Sequence, residues 1–274
     1  MNLIFSFFPV KYENHRIGDE FKQTPNKKAL DVVIMVSQKE SQAGYMDSSM
    51  KKVFKLLHGM LKNKKKMNVK YAVIGFGGAG LSEGAHVKSF NKDHFSNLND
   101  ALTIIKSMKY NGNHETSNDA YMAISEAAQL PFRAGSSKVF ILFNANKNTA
   151  HSLGSTLDEA KYTLAKEVNA ALITFESVDF KHKNAIGQSN RKLYTNRKTI
   201  PGSFQLPGSD YASLVKDSKG AHFKKDFNNQ MKAAKAVHDV ISDHTKRTAK
   251  KCNLCKVHAS WNGKAKTECE PIKC

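Results

Sequence analysis

The four cysteines of this 274-residue chain all lie close to its C-terminal end. They are Cys252, Cys255, Cys269 and Cys274. An even number of cysteines, clustered in a short lysine-rich segment, is typical of two disulfide bonds formed in an oxidising compartment. The C-x2-C spacing, followed by C-x4-C with His258 between them, is also compatible with a zinc site, although the second spacing is loose for one. The cysteine pattern therefore indicates either disulfides or zinc ligation.

A glycine-rich stretch from Gly75 to Gly80 follows a predicted strand and has the G-x-G-x-x-G pattern of dinucleotide-binding enzymes. In such enzymes a helix begins within the glycines. Here Gly84 lies where the interior of that helix would be, and residues 86–90 alternate like an edge strand. We therefore predict a glycine-rich turn between two antiparallel strands. A dinucleotide-binding oxidoreductase is the less favoured alternative.

The sequence indicates no catalytic residues elsewhere. Ser37 and Ser41 lie in a polar stretch after a predicted strand, but no G-x-S-x-G motif surrounds them and no acid or base partner can be assigned. The eleven histidines are scattered along the chain. We predict that the protein is not an enzyme and that it uses no cofactor.

Basic residues outnumber acidic ones, with 43 Lys and Arg against 24 Asp and Glu and a formal net charge of +19. This imbalance favours polyanionic partners such as sulfated glycans, nucleic acid or acidic proteins. The alternative is a solvated, self-repelling surface. The predicted polyanion-binding residues are Lys62, Lys64, Lys65, Lys66, Lys181, Lys183, Arg191, Lys192, Arg197 and Lys198. Nucleic acid is less favoured, because aromatic residues are not interleaved with these clusters and no nucleic-acid motif is recognised.

Short apolar segments between the polar and basic stretches are predicted to form the strands and helices that position them. Residues 31–36 form a continuous apolar run after one acid, too short for an ordinary helix and rich in β-branched side chains, which is typical of a strand buried on both faces. Similar strands are predicted over 69–76, 138–143, 170–175 and 220–225, with amphipathic helices between them. This alternation predicts an α/β fold with a doubly wound, mostly parallel central sheet, one antiparallel edge strand and helices on both faces. A small cysteine-containing tail follows.

The order and spacing of these elements over residues 29–243 resemble a von Willebrand factor type A domain. In that family a strand like 31–36 runs into an Asp-x-Ser-x-Ser loop that ligates a divalent cation. The three corresponding positions here are Ser37, Lys39 and Ser41. A metal-binding threonine of a second loop corresponds to Glu115, or to Thr116 with a one-residue shift. An aspartate of a third loop is replaced by Ala145.

The resemblance implies a degenerate metal-ion-dependent adhesion site. Hard divalent cations require oxygen ligands with negative charge, whereas Lys39 introduces an ammonium group among the ligand positions. We expect the Lys39 amine to occupy the region of the cation and to pair with Glu115 or Asp119. The alternative is that Lys39 points into solvent. Either arrangement predicts that the protein has no functional metal site.

Three segments divide the chain: 1–28 is an N-terminal arm or linker, 29–245 a type A-like domain, and 246–274 a basic cysteine-containing tail. No apolar run approaches the roughly 18–20 residues that span a bilayer. The resemblance implies a secreted, extracellular protein, which favours disulfides over zinc in the tail. It also favours sulfated glycans, such as heparin, and matrix proteins over DNA as partners.

We therefore expect a non-enzymatic extracellular binding, adhesion or matrix module that acts through a basic surface, alone or as part of a larger chain or assembly. The alternative is a structural or assembly protein of a matrix or haemolymph particle that is linked through its C-terminal cysteines.

Overall fold

Strands and helices alternate along the chain in a computed structural model, which describes residues 20–23, 28–39, 43, 46, 50–77, 85–88, 94–111, 120–144, 157–176, 211–224, 230–248, 252–259 and 265–272. The strands are β1 (Glu20–Gln23), β2 (Ala29–Ser37), β3 (Asn68–Phe76), β4 (His86–Lys88), β5 (Ser137–Asn144), β6 (Ala170–Glu176), β7 (Ala221–Lys224), β8 (Cys252–Ala259) and β9 (Ala265–Ile272).

The helices are α1 (Lys51–Gly59), α2 (Leu98–Ser107), α3 (Ala120–Ala128), α4 (Leu157–Tyr162), α5 (Tyr211–Asp217) and α6 (Gln230–Thr248). Helix α1 continues into a π-helical turn, Met60–Lys64, and α4 into another, Thr163–Glu167. None of the described helices is both long enough and apolar enough to cross a membrane.

Six strands form the central sheet in the order β4-β3-β2-β5-β6-β7. All neighbouring strands in it are parallel except β3 and β4, which are antiparallel. The predicted doubly wound α/β fold with one antiparallel edge strand is thus confirmed.

Strand β2 lies in the middle of the six-stranded sheet, between β3 and β5. Its side chains are mostly apolar on both faces, as this position requires. Every residue from Ala29 to Ser37 is buried. Val32, Ile34 and Val36 pack into the core on one face, and Val33 and Met35 pack into the core on the other. A strand of this kind is stable only between two helix layers.

The two helix layers cover opposite faces of the sheet. Apolar residues of α1, α2 and α6 pack against one face. Apolar residues of α3, α4 and α5 pack against the other. We call these the first layer (α1, α2, α6) and the second layer (α3, α4, α5).

A second, three-stranded antiparallel sheet joins the two ends of the chain in the order β1-β8-β9. Strand β1 lies in the segment predicted as an arm or linker, and β8 and β9 lie in the predicted tail. Glu20 and Glu268 are both directly opposite Lys256 in the register.

Candidate binding site at the carboxyl ends of the strands

The carboxyl end of β2 is the place where ligands bind in open α/β sheets. It carries Ser37, Gln38 and Lys39, which are 0%, 3% and 7% exposed. The alternative in which Lys39 points into solvent does not fit this burial. A buried lysine is uncommon, because removing an ammonium group from water is costly unless it is compensated.

Gln38 connects the end of β2 to its surroundings. Its backbone N–H donates to the Phe76 carbonyl oxygen at 2.7 Å. Its side-chain Nε2 donates to the Lys109 carbonyl oxygen at 3.0 Å. The buried Oε1 atom has no hydrogen-bond partner among the described residues. These bonds fix the Gln38 side chain over the end of β3.

Gly75 at the end of β3 lies against the Gln38 side chain. A Cβ atom at position 75 would lie 2.4 Å from Gln38 Oε1, so a larger residue there would require the Gln38 amide to move. The first glycine of the G-x-G-x-x-G pattern therefore has a packing role in which no nucleotide takes part.

The strand that follows the glycines also argues against a dinucleotide site. Ile74 of β3 is directly opposite Val87 of β4, and Gly75 is directly opposite His86, in an antiparallel register. The predicted antiparallel pairing of the two strands is therefore present, while the predicted glycine-rich turn at 78–84 lies outside the described residues. Strand β4 follows where a dinucleotide-binding fold would continue as a helix.

The described residues at the end of β2 do not fit the divalent cation of a type A adhesion site. Such a cation requires carboxylate or other oxygen ligands, and its charge is repelled by an ammonium group. Ser37 and Gln38 supply no negative charge, and Lys39 is buried beside them. Ser41, Glu115, Asp119 and Ala145, which complete the predicted degenerate site, lie outside the described residues, as does the predicted pairing of Lys39 with an acid.

A hydrogen-bonded pair that the sequence analysis missed joins β6 to β7, in the register row of Met35 and Leu142. Thr174 Oγ1 of β6 lies 2.6 Å from His222 Nδ1 of β7. Thr174 is buried at 2% exposure. The sequence alone gives little indication of this pair, because Thr174 and His222 are brought opposite each other only by the register of β6 and β7.

The predicted polyanion-binding residues are partly placed by the structure. Lys62, Lys65 and Lys66 are exposed where α1 and its π-helical turn end. Lys64 belongs to the same turn. Lys181, Lys183, Arg191, Lys192, Arg197 and Lys198 lie outside the described residues. Among the predicted disulfide residues, Cys252 and Cys255 are in β8 and Cys269 is in β9, and Cys274 lies outside the described residues.

His58 of α1 adds nothing to the positive charge of that helix. His58 Nδ1 lies 2.9 Å from the Tyr71 hydroxyl. Partial burial, and then the Lys62 charge, lower the pKa of His58 below its usual value. Burial raises the pKa of Tyr71. His58 is therefore held neutral, and the charge of this helix comes from its lysines.

No protein-family model matches the sequence, and no curated protein matches it. Among solved structures, the conserved hypothetical protein BatB from Bacteroides thetaiotaomicron has a TM-score of 0.50 at 15% identity, over 79% of this chain and 99% of BatB. Proximal thread matrix protein 1 from the mussel byssus has a TM-score of 0.49 at 14% identity. That likeness covers 93% of this chain but only 51% of the mussel protein, so this chain spans about half of its length.

The pilus adhesin SpaC from Lactobacillus rhamnosus GG, in its open conformation, has a TM-score of 0.42 at 11% identity, over 93% of this chain and 39% of the adhesin. At such identities a likeness concerns the fold alone. The neighbours include type A proteins. Together with the strand order, the antiparallel β4 and the two helix layers, the likeness to BatB identifies the architecture: the chain has the von Willebrand factor type A fold.

Proposed function

We propose that this chain is a non-enzymatic, extracellular binding module that attaches to polyanionic partners, such as sulfated glycans or acidic matrix proteins, without a divalent cation. The observation that carries the proposal is the unequal charge of the two helix layers.

The first layer is strongly basic. Its three helices, with the π-helical turn of α1, contain ten Lys and Arg residues against three acids. The basic residues are Lys51, Lys52, Lys55, Lys62, Lys64, Lys106, Lys232, Lys235, Lys246 and Arg247, and the acids are Asp100, Asp239 and Asp243. Helix α1 and its π-helical turn have no acid at all.

The second layer is close to neutral. Its three helices, with the π-helical turn of α4, contain three lysines against five acids. The lysines are Lys161, Lys166 and Lys216, and the acids are Glu126, Asp158, Glu159, Glu167 and Asp217. Lys161 is further engaged by Asp158 at 3.9 Å and Asp217 at 3.7 Å.

Exposed lysines of the first layer lie on two neighbouring helices. Lys52 and Lys55 are exposed on α1 and Lys62 on its π-helical turn, and Lys232 and Lys235 are exposed on the neighbouring α6. A surface with so many cations and so few acids binds polyanions because contact releases condensed counterions, and the affinity falls steeply with salt. Neither aromatic stacking nor base readout is required for a sulfated glycan.

The carboxyl end of β2 supports the metal-free part of the proposal. In the type A family this place holds the adhesion cation. Here the buried Lys39 supplies a positive charge of its own, so the residues that would favour a cation are replaced by one that opposes it. Binding then depends on the helix surface and does not require a bridging ion.

The test is elution from immobilised heparin across a salt series, with and without EDTA. The variant Lys55→Glu/Lys62→Glu changes two exposed first-layer lysines, and the matched control Lys166→Glu/Lys216→Glu makes the same charge change on exposed residues of the second layer. We expect the first variant to elute at clearly lower salt, with a flatter dependence of affinity on salt by roughly one unit of slope per lysine.

The control variant should elute close to the unaltered protein, and EDTA should change nothing. Equal losses in both variants would show that net charge alone matters. Elution of the unaltered protein at low salt, or release by EDTA, would overturn the proposal.

A further inference from the structure

The register of the small sheet places two of the four cysteines directly opposite each other. In the antiparallel pair β8–β9, Cys255 is aligned with Cys269. Directly opposite residues of antiparallel strands have Cα atoms about 4.5–5.5 Å apart. Disulfides form when Cα atoms are about 4.4–6.8 Å apart. The backbone spacing at this pair is therefore the spacing that a disulfide requires.

We propose that Cys255 and Cys269 form a cross-strand disulfide. Each thiol loses a proton, the two sulfur atoms form one bond, and the two electrons pass to a disulfide donor such as oxidised glutathione, which is released as two thiols. Such donors belong to the oxidising compartments through which extracellular proteins pass. The pairing follows from strand register and is independent of polyanion binding, while its oxidation rests on the proposed extracellular location.

The same register argues against zinc ligation by the C-x2-C pair. Successive residues of a strand alternate between its two faces. Cys252 and Cys255 are three residues apart within β8 and so belong to opposite faces of the sheet. Cys252 is aligned with Ile272 and not with a cysteine. One tetrahedral ion requires its ligands to converge on one point, and two residues on opposite faces of a strand do not.

The proposal divides the cysteines by role. Cys255 and Cys269 join the two strands of the hairpin, and β1, which pairs with β8, carries Phe21 at the position opposite Cys255. The disulfide therefore links β8 and β9 at the position where β8 also pairs with Phe21 of β1. Cys252 and Cys274 remain, either for a second disulfide with each other or for links to other chains, as the cysteine-linked assembly considered above requires.

Peptide mapping of the 274-residue chain tests the pairing. The protein is prepared without reductant, free thiols are blocked with N-ethylmaleimide, and the chain is digested with trypsin and chymotrypsin. Trypsin cuts after Lys256, Lys266 and Lys273, and chymotrypsin cuts after Leu254, which separates Cys252 from Cys255. We expect fragment 255–256 to be linked to fragment 267–273, and the link to disappear on reduction.

A Cys252→Ser/Cys274→Ser variant is the matched control. The monomer band of this variant on a non-reducing gel should retain the link between 255–256 and 267–273. Fragment 252–254 linked to 267–273, or Cys252 linked to Cys255, would overturn the pairing. Blocked free thiols at positions 255 and 269, or one equivalent of zinc in the purified protein that is lost when the thiols are blocked, would overturn it as well.

Discussion

The Arg133 guanidinium binds the buried Asp31 carboxylate at the amino end of the central strand, with Nε 2.7 Å from Oδ1. The backbone N–H of Arg133 donates to Oδ2 at 2.9 Å, and the Ser136 hydroxyl donates to the same oxygen at 2.7 Å. The guanidinium also donates to the carbonyl oxygens of Leu30 and Asn68, so it links the starts of β2 and β3. The single acid of β2 is thus fully compensated.

Removal of Arg133 should strongly destabilise the fold. Arg133→Ala leaves the Asp31 carboxylate buried without its guanidinium partner, and we expect a loss of about 3–5 kcal/mol in the free energy of unfolding. The control is Lys161→Ala, which removes two ion pairs to exposed carboxylates and should cost at most about 1 kcal/mol. Urea unfolding of both variants measures the difference, and equal midpoints would contradict this account of Asp31.

His244 should make the protein sensitive to acid. It is buried, its Nε2 has no hydrogen-bond partner among the described residues, and the imidazole hydrogen-bonds to the Lys138 backbone. Burial, and then the charges of Arg247, Lys138 and Lys219, lower the pKa of His244 to about 3. In the unfolded chain His244 takes up a proton near pH 6.5, whereas in the folded chain it stays neutral until the pH nears 3. Protonation therefore favours the unfolded state, and stability is lost as the pH falls from about 6.5 toward 3.

The variant His244→Asn tests this dependence, because an amide can donate to the Lys138 carbonyl and does not titrate in this range. We expect the free energy of unfolding of the unaltered protein to fall more steeply than that of the variant between pH 6.5 and pH 4. Parallel pH profiles in urea unfolding would show that His244 does not titrate as described.

Two glycines should respond in opposite directions to the same substitution. A Cβ atom on Gly220 would lie 1.6 Å from the Leu172 carbonyl oxygen, so Gly220→Ala forces β6 and the start of β7 apart and should cost at least about 2 kcal/mol. Gly59 ends α1 with open space around it, and Gly59→Ala should stabilise the protein by about 0.5–1 kcal/mol. Thermal unfolding of the two variants should therefore bracket that of the unaltered protein.

Restoring the family's ligands should restore cation binding. In Ser37→Asp/Lys39→Ser, a carboxylate replaces a hydroxyl and the ammonium group is removed, so Mg²⁺ or Mn²⁺ should raise the melting temperature in a manner reversed by EDTA. Lys39→Met, which keeps an unbranched apolar stem without the charge, is the control and should not respond to the cation. A cation-dependent shift in the unaltered protein would show that its own residues already hold a metal.

The fold was predictable because its strands carry strong local signals. The run of β-branched residues in β2 and the glycine-bounded hairpin of β3 and β4 identified the central and edge strands, and both are confirmed. Strand ends were less clear: β2 was predicted over 31–36 and extends from Ala29 to Ser37. Ala29 and Leu30 lie before the acid at which the predicted strand began, and Ser37 joins the ladder through its backbone, which periodicity does not reveal.

The contacts of the candidate site were less accessible to sequence reasoning. Gln38 reaches Lys109 across 71 residues of sequence, and Arg133 reaches Asp31 across 102. Such pairs depend on how the strands are ordered in the sheet. The lone acid that opens an apolar strand at Asp31 was a signal that a buried partner existed, but only the parallel register of β2 and β5 brings Arg133 to it.

The unequal charge of the two helix layers, among the described residues, contributes an electric dipole directed across the sheet. Near a surface dense in sulfate or carboxylate, the field of that surface exerts a torque on this dipole before any contact forms, since such fields act over about a Debye length in solution. The protein would then arrive with α1 and α6 facing the anionic surface and α3, α4 and α5 facing away. A layer of such molecules would present one common outer face to whatever is deposited next.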